Sequence, residues 1–274
     1  MCHRCGIVVF GTACVPKAVE IGKKEGGIGM LEIKSYKRSF PTQNEAFLEQ
    51  VALRPGEIVA LLGKNGAGKT TLIKEILEMK ERPLHTITLD GKEVSYKNLH
   101  RLALGSCEHT FFGEFTVEEQ KEFYEMNFPK FRKDRFKLLT EYFEIPMRGK
   151  LKEFSVGEKN QVETVFALCQ GADYIFLDEP FANNDLFHRK DFYKLLLGIL
   201  EESECLVIAT HLVEEVESVI SRVLLVDRFD IVADVSMDEM EENNTDVVTW
   251  LKKKLNYNEG KAAEFIRRME EGNV

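Results

Sequence analysis

Gly63-Lys64-Asn65-Gly66-Ala67-Gly68-Lys69-Thr70-Thr71 follows the apolar run Glu57-Ile58-Val59-Ala60-Leu61-Leu62 and leads into the helical spacing of Leu72, Ile73, Ile76 and Leu77. The stretch fits GxxxxGK[ST] in the setting that motif requires, a buried strand before it and a helix after it. Continuous apolarity in the preceding run predicts a central strand covered on both faces. Glycines let backbone N–H groups wrap phosphates, and a helix N-terminus adds its dipole. In this chemistry Lys69 reaches the β- and γ-phosphates and the Thr70 hydroxyl holds Mg²⁺. The decisive reading is therefore an α/β core that binds a nucleotide.

Outward from the loop, strand and helix patterns alternate. Leu31 to Ile33 reads as a strand, and His85 to Leu89, Asp90-Gly91 and Lys92 to Val94 read as a hairpin. Thr116-Val117-Glu118-Glu119 is a capping box, with helical spacing to about Phe143, broken at Pro129 and stopped near Pro146. The span of about 109–165 is expected to be a helical subdomain inserted into the core. Tyr174-Ile175-Phe176-Leu177-Asp178-Glu179-Pro180 is a buried strand ending in two carboxylates, placed where parallel α/β sheets bind ligands. Asp178 suits Mg²⁺ held through its water shell, and Glu179 suits a group that orients or deprotonates an attacking water. Ser155-Val156-Gly157-Glu158 is a second capping box, so a helix starts there, with Gly157 leaving room for a close backbone approach.

The segment Phe154-Ser155-Val156-Gly157-Glu158-Lys159-Asn160-Gln161 resembles the LSGGQ signature of ATP-binding cassette (ABC) ATPases, and it stands between the phosphate loop and the Asp-Glu strand as in that family. The resemblance covers roughly Met30 to Val235. It implies a P-loop NTPase core of α/β class with a mixed sheet, a small antiparallel β subdomain and an inserted helical subdomain. Gly63, Asn65, Gly66, Ala67, Gly68, Lys69, Thr70 and Thr71 then correspond to the Walker A motif around ATP. Asp178 corresponds to the Walker B aspartate, Glu179 to the catalytic glutamate, and His211 in Val207-Ile208-Ala209-Thr210-His211 to the switch histidine. Asp185 matches the D-loop aspartate, and Phe40 sits where the family has an aromatic on the adenine. Ser155, Gly157 and Glu158 carry the signature contacts, and Glu108, in place of the Q-loop glutamine, joins Thr70 and Asp178 as a metal ligand.

Several positions depart from the family pattern. Phe154, Val156 and Glu158 replace the Leu, first Gly and Gln of LSGGQ, so Val156 has to point away from the nucleotide while Glu158 keeps the helix cap. Phe181-Ala182-Asn183-Asn184 replaces the usual small-residue turn after Glu179-Pro180. With the phosphate loop and Asp-Glu strand intact, hydrolysis is expected to survive.

The chain has 274 residues, with 46 Asp plus Glu against 37 Lys plus Arg, a net charge of -9, and 44% hydrophobic residues. This composition fits a globular protein and argues against nucleic acid as a partner, since such binders present basic surfaces to phosphates. Six scattered cysteines do not form a disulfide scaffold. Lys24-Glu25-Gly26 can be encoded by a purine-rich ribosome-binding sequence just ahead of Met30, so residues 1–29 are expected to be an over-extended reading frame or a disordered extension. Residues 30–236 form the ABC ATPase domain in this reading. Residues 237–274 are an acidic helical tail, irregular from Met237 to Asp246, then helical around Trp250, Leu251 and Leu255.

One phosphate loop and one signature segment make half of each composite site, so the resemblance implies a homodimer or pseudo-dimer sandwiching ATP with Mg²⁺. It also implies an integral membrane permease as partner and a place on the cytoplasmic face of the membrane, with export the expected direction. A soluble ABC ATPase acting as a switch in a cytosolic assembly is the competing class. Phe111, Phe112 and Phe115 are expected either to receive a coupling helix from a permease or to belong to the core.

Overall fold

The computed structural model describes residues 29–35, 48–77, 84–180 and 186–256, the side chains of 186–190 excepted. All of the proposed frame before Met30 except Gly29, together with Phe40, Asp185, the 181–184 turn and residues 257–274, lies outside the described residues. The elements run β1 Leu31–Ser35, β2 Gln50–Leu53, β3 Ile58–Leu62, α1 Lys69–Ile76, β4 His85–Leu89, β5 Lys92–Glu93 and β6 Leu102–Ser106. Three helices follow, α2 Val117–Asn127, α3 Lys133–Tyr142 and α4 Val156–Cys169. The chain then returns through β7 Tyr174–Asp178, α5 Leu186–Ile199, β8 Cys205–Ala209, α6 Val213–Val216, β9 Arg222–Asp227 and β10 Asp230–Ser236, before α7 Met237–Glu242 and α8 Val247–Lys254.

Six strands form a mixed sheet in the order β10-β9-β3-β8-β7-β6, parallel except for β10. Every residue of β3, β7 and β8 is buried. The cause is a core on each face, because alternate side chains of one strand point to opposite sides. Ile58, Ala60 and Leu62 join Ile175, Leu177 and Ile208 in the core shared with α2, α3 and α4. Val59 and Leu61 join Phe176, Val207 and the residues of α1 in the other. That second core is closed by a four-stranded antiparallel sheet, β2-β1-β4-β5. Its β4–β5 hairpin turns at Asp90 and Gly91, both at positive φ, as the Asp-Gly pair predicts.

Both capping boxes form as the sequence requires. Thr116 and Glu119 exchange hydrogen bonds at the start of α2, and Ser155 and Glu158 do so at the start of α4. The aromatic-rich body of the helical segment, Tyr124, Phe131, Phe136 and Phe166, stacks between α2, α3 and α4. A buried ion pair ties it to the strand layer: the Arg135 guanidinium donates to both oxygens of Glu204 at 2.9 and 2.8 Å and to the Leu168 and Ile199 carbonyls.

One expectation about the tail is corrected. Met237 to Glu242 is helical, capped by Ser236, whose hydroxyl accepts from the Glu239 N–H. Met240 and Val247 are buried, and Trp250 and Leu251 pack against the helical-side core, so this part of the tail is an appendage of the domain.

Candidate functional site

Parallel order explains why residues far apart in sequence meet. β8 lies between β3 and β7 with Ala209 beside both Leu61 and Asp178, so the turns leaving all three strands emerge at one edge. The phosphate loop leaves β3, Asp178 and Glu179 end β7, and Thr210 and His211 follow β8.

Within the loop, Gly66 and Gly68 have φ of +80° and +109°, and the Ala67 N–H donates to the Lys64 carbonyl at 3.0 Å. Gly68 is glycine for two reasons. A side chain strains at that φ, and a Cβ there would sit 2.6 Å from the Phe229 ring and 2.9 Å from the Phe229 Cα. Phe229, in the β9–β10 turn, also donates its N–H to the Ala67 carbonyl at 2.8 Å. Nothing in the sequence signalled this contact, which joins residues over 160 positions apart.

Lys69 opens α1 and is buried. Its Nζ donates to the Gly63 carbonyl at 3.0 Å and stands 3.9 Å from Glu179 Oε1. Glu179 lies in the left-handed region at φ 48°, where a residue other than glycine stores strain, and its N–H is fixed by the Ala209 carbonyl at 2.8 Å. Its carboxylate meets His211 Nδ1 at 2.9 and 3.0 Å, with the Thr210 hydroxyl at 3.5 Å. Lys69, Glu179 and His211 thus form one contiguous chain of polar groups.

Asp178 is 7% exposed. Burial raises its carboxyl above the usual aspartate range, opposed first by a hydrogen bond from the exposed Thr70. Its Oδ1 has no hydrogen-bond partner among the described residues. An orphaned buried carboxylate oxygen beside a hydroxyl is a pair of hard donors that suits Mg²⁺, so Thr70 and Asp178 fit that ion. Glu108 is placed differently: it is largely exposed, and its carboxylate pairs with Lys74 Nζ at 2.5 Å. Its neighbour Cys107 lies against the backbone of the acidic pair, its Sγ 3.6 Å from the Asp178 and Glu179 carbonyls and its thiol pushed up by burial.

Ser155 and Glu158 are exposed, and Val156 is 54% exposed. Among the described residues no hydrogen bond joins Ser155, Gly157 or Glu158 to the phosphate loop of the same chain. Phe111 and Phe115 are half-buried against the helical-side core, and Phe112 packs tilted against Phe115 and edge-on to Phe123.

Comparisons with known proteins find the same fold. The family described as ABC transporter matches residues 49–182, from β2 through the Asp-Glu turn. ABC transporter ATP-binding protein YtrB of Bacillus subtilis is 26% identical over 216 residues, covering 78% of this chain and 74% of that protein. Lipopolysaccharide export system ATP-binding protein LptB of Haemophilus influenzae is 28% identical over 217 residues, covering 75% of this chain and 90% of that protein. Among solved structures, an ATP-binding subunit of an ABC transporter superposes with a TM-score of 0.65 at 22% identity, over 83% of this chain and 98% of that one. With a phosphate loop, an Asp-Glu strand end and a capped signature helix in that fold, residues 49–182 of this chain match the ABC transporter family, whose ATP-binding subunits the chain resembles.

Proposed function

We propose that the chain binds ATP with Mg²⁺ and hydrolyses it to drive transport, in the export direction, through a separate membrane permease. The observation that carries this reading is the meeting of Lys69, Glu179 and His211 beside the orphaned Asp178 Oδ1. The loop N–H groups and Lys69 bind the phosphates, Lys69 exchanging the Gly63 carbonyl for phosphate oxygens. Thr70 and Asp178 hold the metal, which when bound neutralises charge on the phosphates. Glu179 orients the attacking water and takes up its proton, and His211 holds the Glu179 carboxylate in place. Glu108 joins the metal site only by giving up Lys74.

The exposed Ser155–Glu158 start of α4 serves the nucleotide of a second subunit, so the working unit is a dimer closed by ATP and opened by hydrolysis. Asp185 and Phe40 complete the two halves of the site in this reading. No helix among the described residues is long and apolar enough to cross a membrane, and the separate permease and the peripheral position on the membrane's cytoplasmic face are part of this proposal. Similarity to the export-system subunit of Haemophilus influenzae supports the direction.

Glu179→Gln and Lys69→Ala test the scheme together. The Gln variant is expected to bind ATP, lose turnover by at least a hundredfold and accumulate as a dimer in light scattering. The Lys69→Ala variant is expected to stay monomeric with ATP. Wild-type turnover in either variant refutes the assignment. Purification from detergent-solubilised membranes tests the permease, and recovery without a multi-span membrane protein refutes the transport step.

A further inference from the structure

The loop that follows β6 is stitched to the middle of α4. Both Glu163 carboxylate oxygens face it: one accepts from the Thr110 N–H, the other from the Thr110 hydroxyl at 3.2 Å, and the Phe111 N–H also donates to this carboxylate. One turn earlier on the same helix, Asn160 Oδ1 meets His109 Nε2 at 2.8 Å. Asn160 and Glu163 are buried, with 2% and 3% exposure. Gly105 lets the helix come this close, since a Cβ there would meet the Glu163 carbonyl and the Ala167 Cβ at 3.3 Å. The start of the same loop carries Cys107 against the Asp178 and Glu179 carbonyls, and the start of the same helix carries Ser155 and Glu158. A buried carboxylate with no hydrophobic contribution to make is an expensive way to hold two elements together. Its presence at this position therefore points to a task that apolar packing does not perform.

We propose that Glu163 is a positioning residue for ATP turnover, clasping the 107–111 loop to α4 and so tying the Asp178–Glu179 pair of one site to the signature segment that closes the other. This rests on the proposed roles of those two segments. Its carboxylate accepts three donors, all from the loop, so the clasp depends on its ionisation. Burial pushes it up to about 7, opposed by the Thr110 and Phe111 hydrogen bonds. The titratable group that faces it is Tyr124 from α2, whose phenol feels its charge, while His109 within the loop is engaged by Asn160. Ionised, the carboxylate accepts all three donors; protonated, one oxygen becomes a donor and the clasp loosens.

The test is the pH profile of steady-state ATP hydrolysis from pH 6 to 8.5 in wild type, Glu163→Gln and Thr110→Val, with the ATP Kd measured alongside. Glu163→Gln is the neutral mimic. Its kcat at pH 8 is expected about fivefold below wild type, and the rise in kcat through pH 7 is expected to shrink. ATP Kd is expected to stay within twofold, and exchange of the Thr110 amide hydrogen to quicken at least tenfold. Thr110→Val, which keeps the backbone donor, is expected to fall between the two. A wild-type kcat and pH profile in Glu163→Gln overturns the proposal, as does an equal loss of kcat and ATP affinity, which marks a merely structural residue. Lys69→Ala separates the underlying reading: if it hydrolyses ATP as wild type does, the nucleotide site is misassigned, whatever Glu163 shows.

Discussion

Gly68→Ala asks how much of the phosphate loop's shape is imposed from outside the loop. The new Cβ meets two costs. At φ 109° an alanine is strained by about 1–2 kcal/mol. It also lies 2.9 Å from the Phe229 Cα and 2.6 Å from the ring, so the β9–β10 turn has to shift, at about 1–3 kcal/mol for overpacking. Together these give a loss of about 3 kcal/mol, or a fall in melting temperature of roughly 6–12 °C for a chain of this size. Phe229→Gly is the companion. It removes a ring that is 41% exposed and relieves the left-handed φ of 71° at that position, so its own effect is expected within about 1 kcal/mol of neutral. In the double variant the ring is gone, but the crowding against the backbone of residue 229 and the strain at residue 68 remain, so about 1 kcal/mol of the loss is recovered. Thermal unfolding of all four proteins and ATP titration of each supply the cycle. A Gly68→Ala protein melting within 2 °C of wild type, or strict additivity in the double variant, refutes the account.

Glu163→Gln also has a stability signature independent of turnover. The folded carboxyl is raised to about 7 from 4.5, so its contribution is fully present below pH 4.5, is lost as pH rises to about 7, and stays lost above. That difference of about 3 kcal/mol is absent in the Gln variant, so its melting temperature relative to wild type is expected to be roughly 5–10 °C higher at pH 8 than at pH 5. Equal differences at both pH values count against it. Arg135→Met strands the buried Glu204 carboxylate and is expected to cost about 3–5 kcal/mol in chemical denaturation, with restoration by a Glu204→Leu partner change. Ser155→Ala breaks the capping box of α4, at about 1 kcal/mol in the same assay, and is expected to lower turnover more than that loss predicts because in the proposed dimer the segment also serves a second subunit's nucleotide.

Much of the scaffold was legible because its signals are local. A loop at positive φ needs glycine, a capping box needs Ser or Thr three residues before Glu, and a strand covered on both faces needs unbroken apolarity. Gly66 and Gly68, Thr116 and Ser155, and β3, β7 and β8 follow those rules. The tail shows the limit of reading composition alone. Its acidic run looked irregular, yet Ser236 and Glu239 carry the same Ser-x-x-Glu spacing, and α7 begins there.

By itself the sequence determined where a glycine-rich loop leaves a buried strand, which strand ends in acids and where the helices start, since each is encoded by a few neighbouring residues. Only the tertiary structure decided which of these groups touch. Sheet order β3-β8-β7 brings Lys69 within 3.9 Å of Glu179, the β9–β10 turn sets Phe229 behind Gly68, and the packing of α4 on β6 hands Thr110 to Glu163. It also turned Glu108 toward Lys74 and put Cys107 beside the acidic pair. Contacts of this kind depend on strand order and on how closely a helix settles on a sheet. Hydrophobic periodicity selects the face an element buries, but it does not name the side chain that waits on the other side.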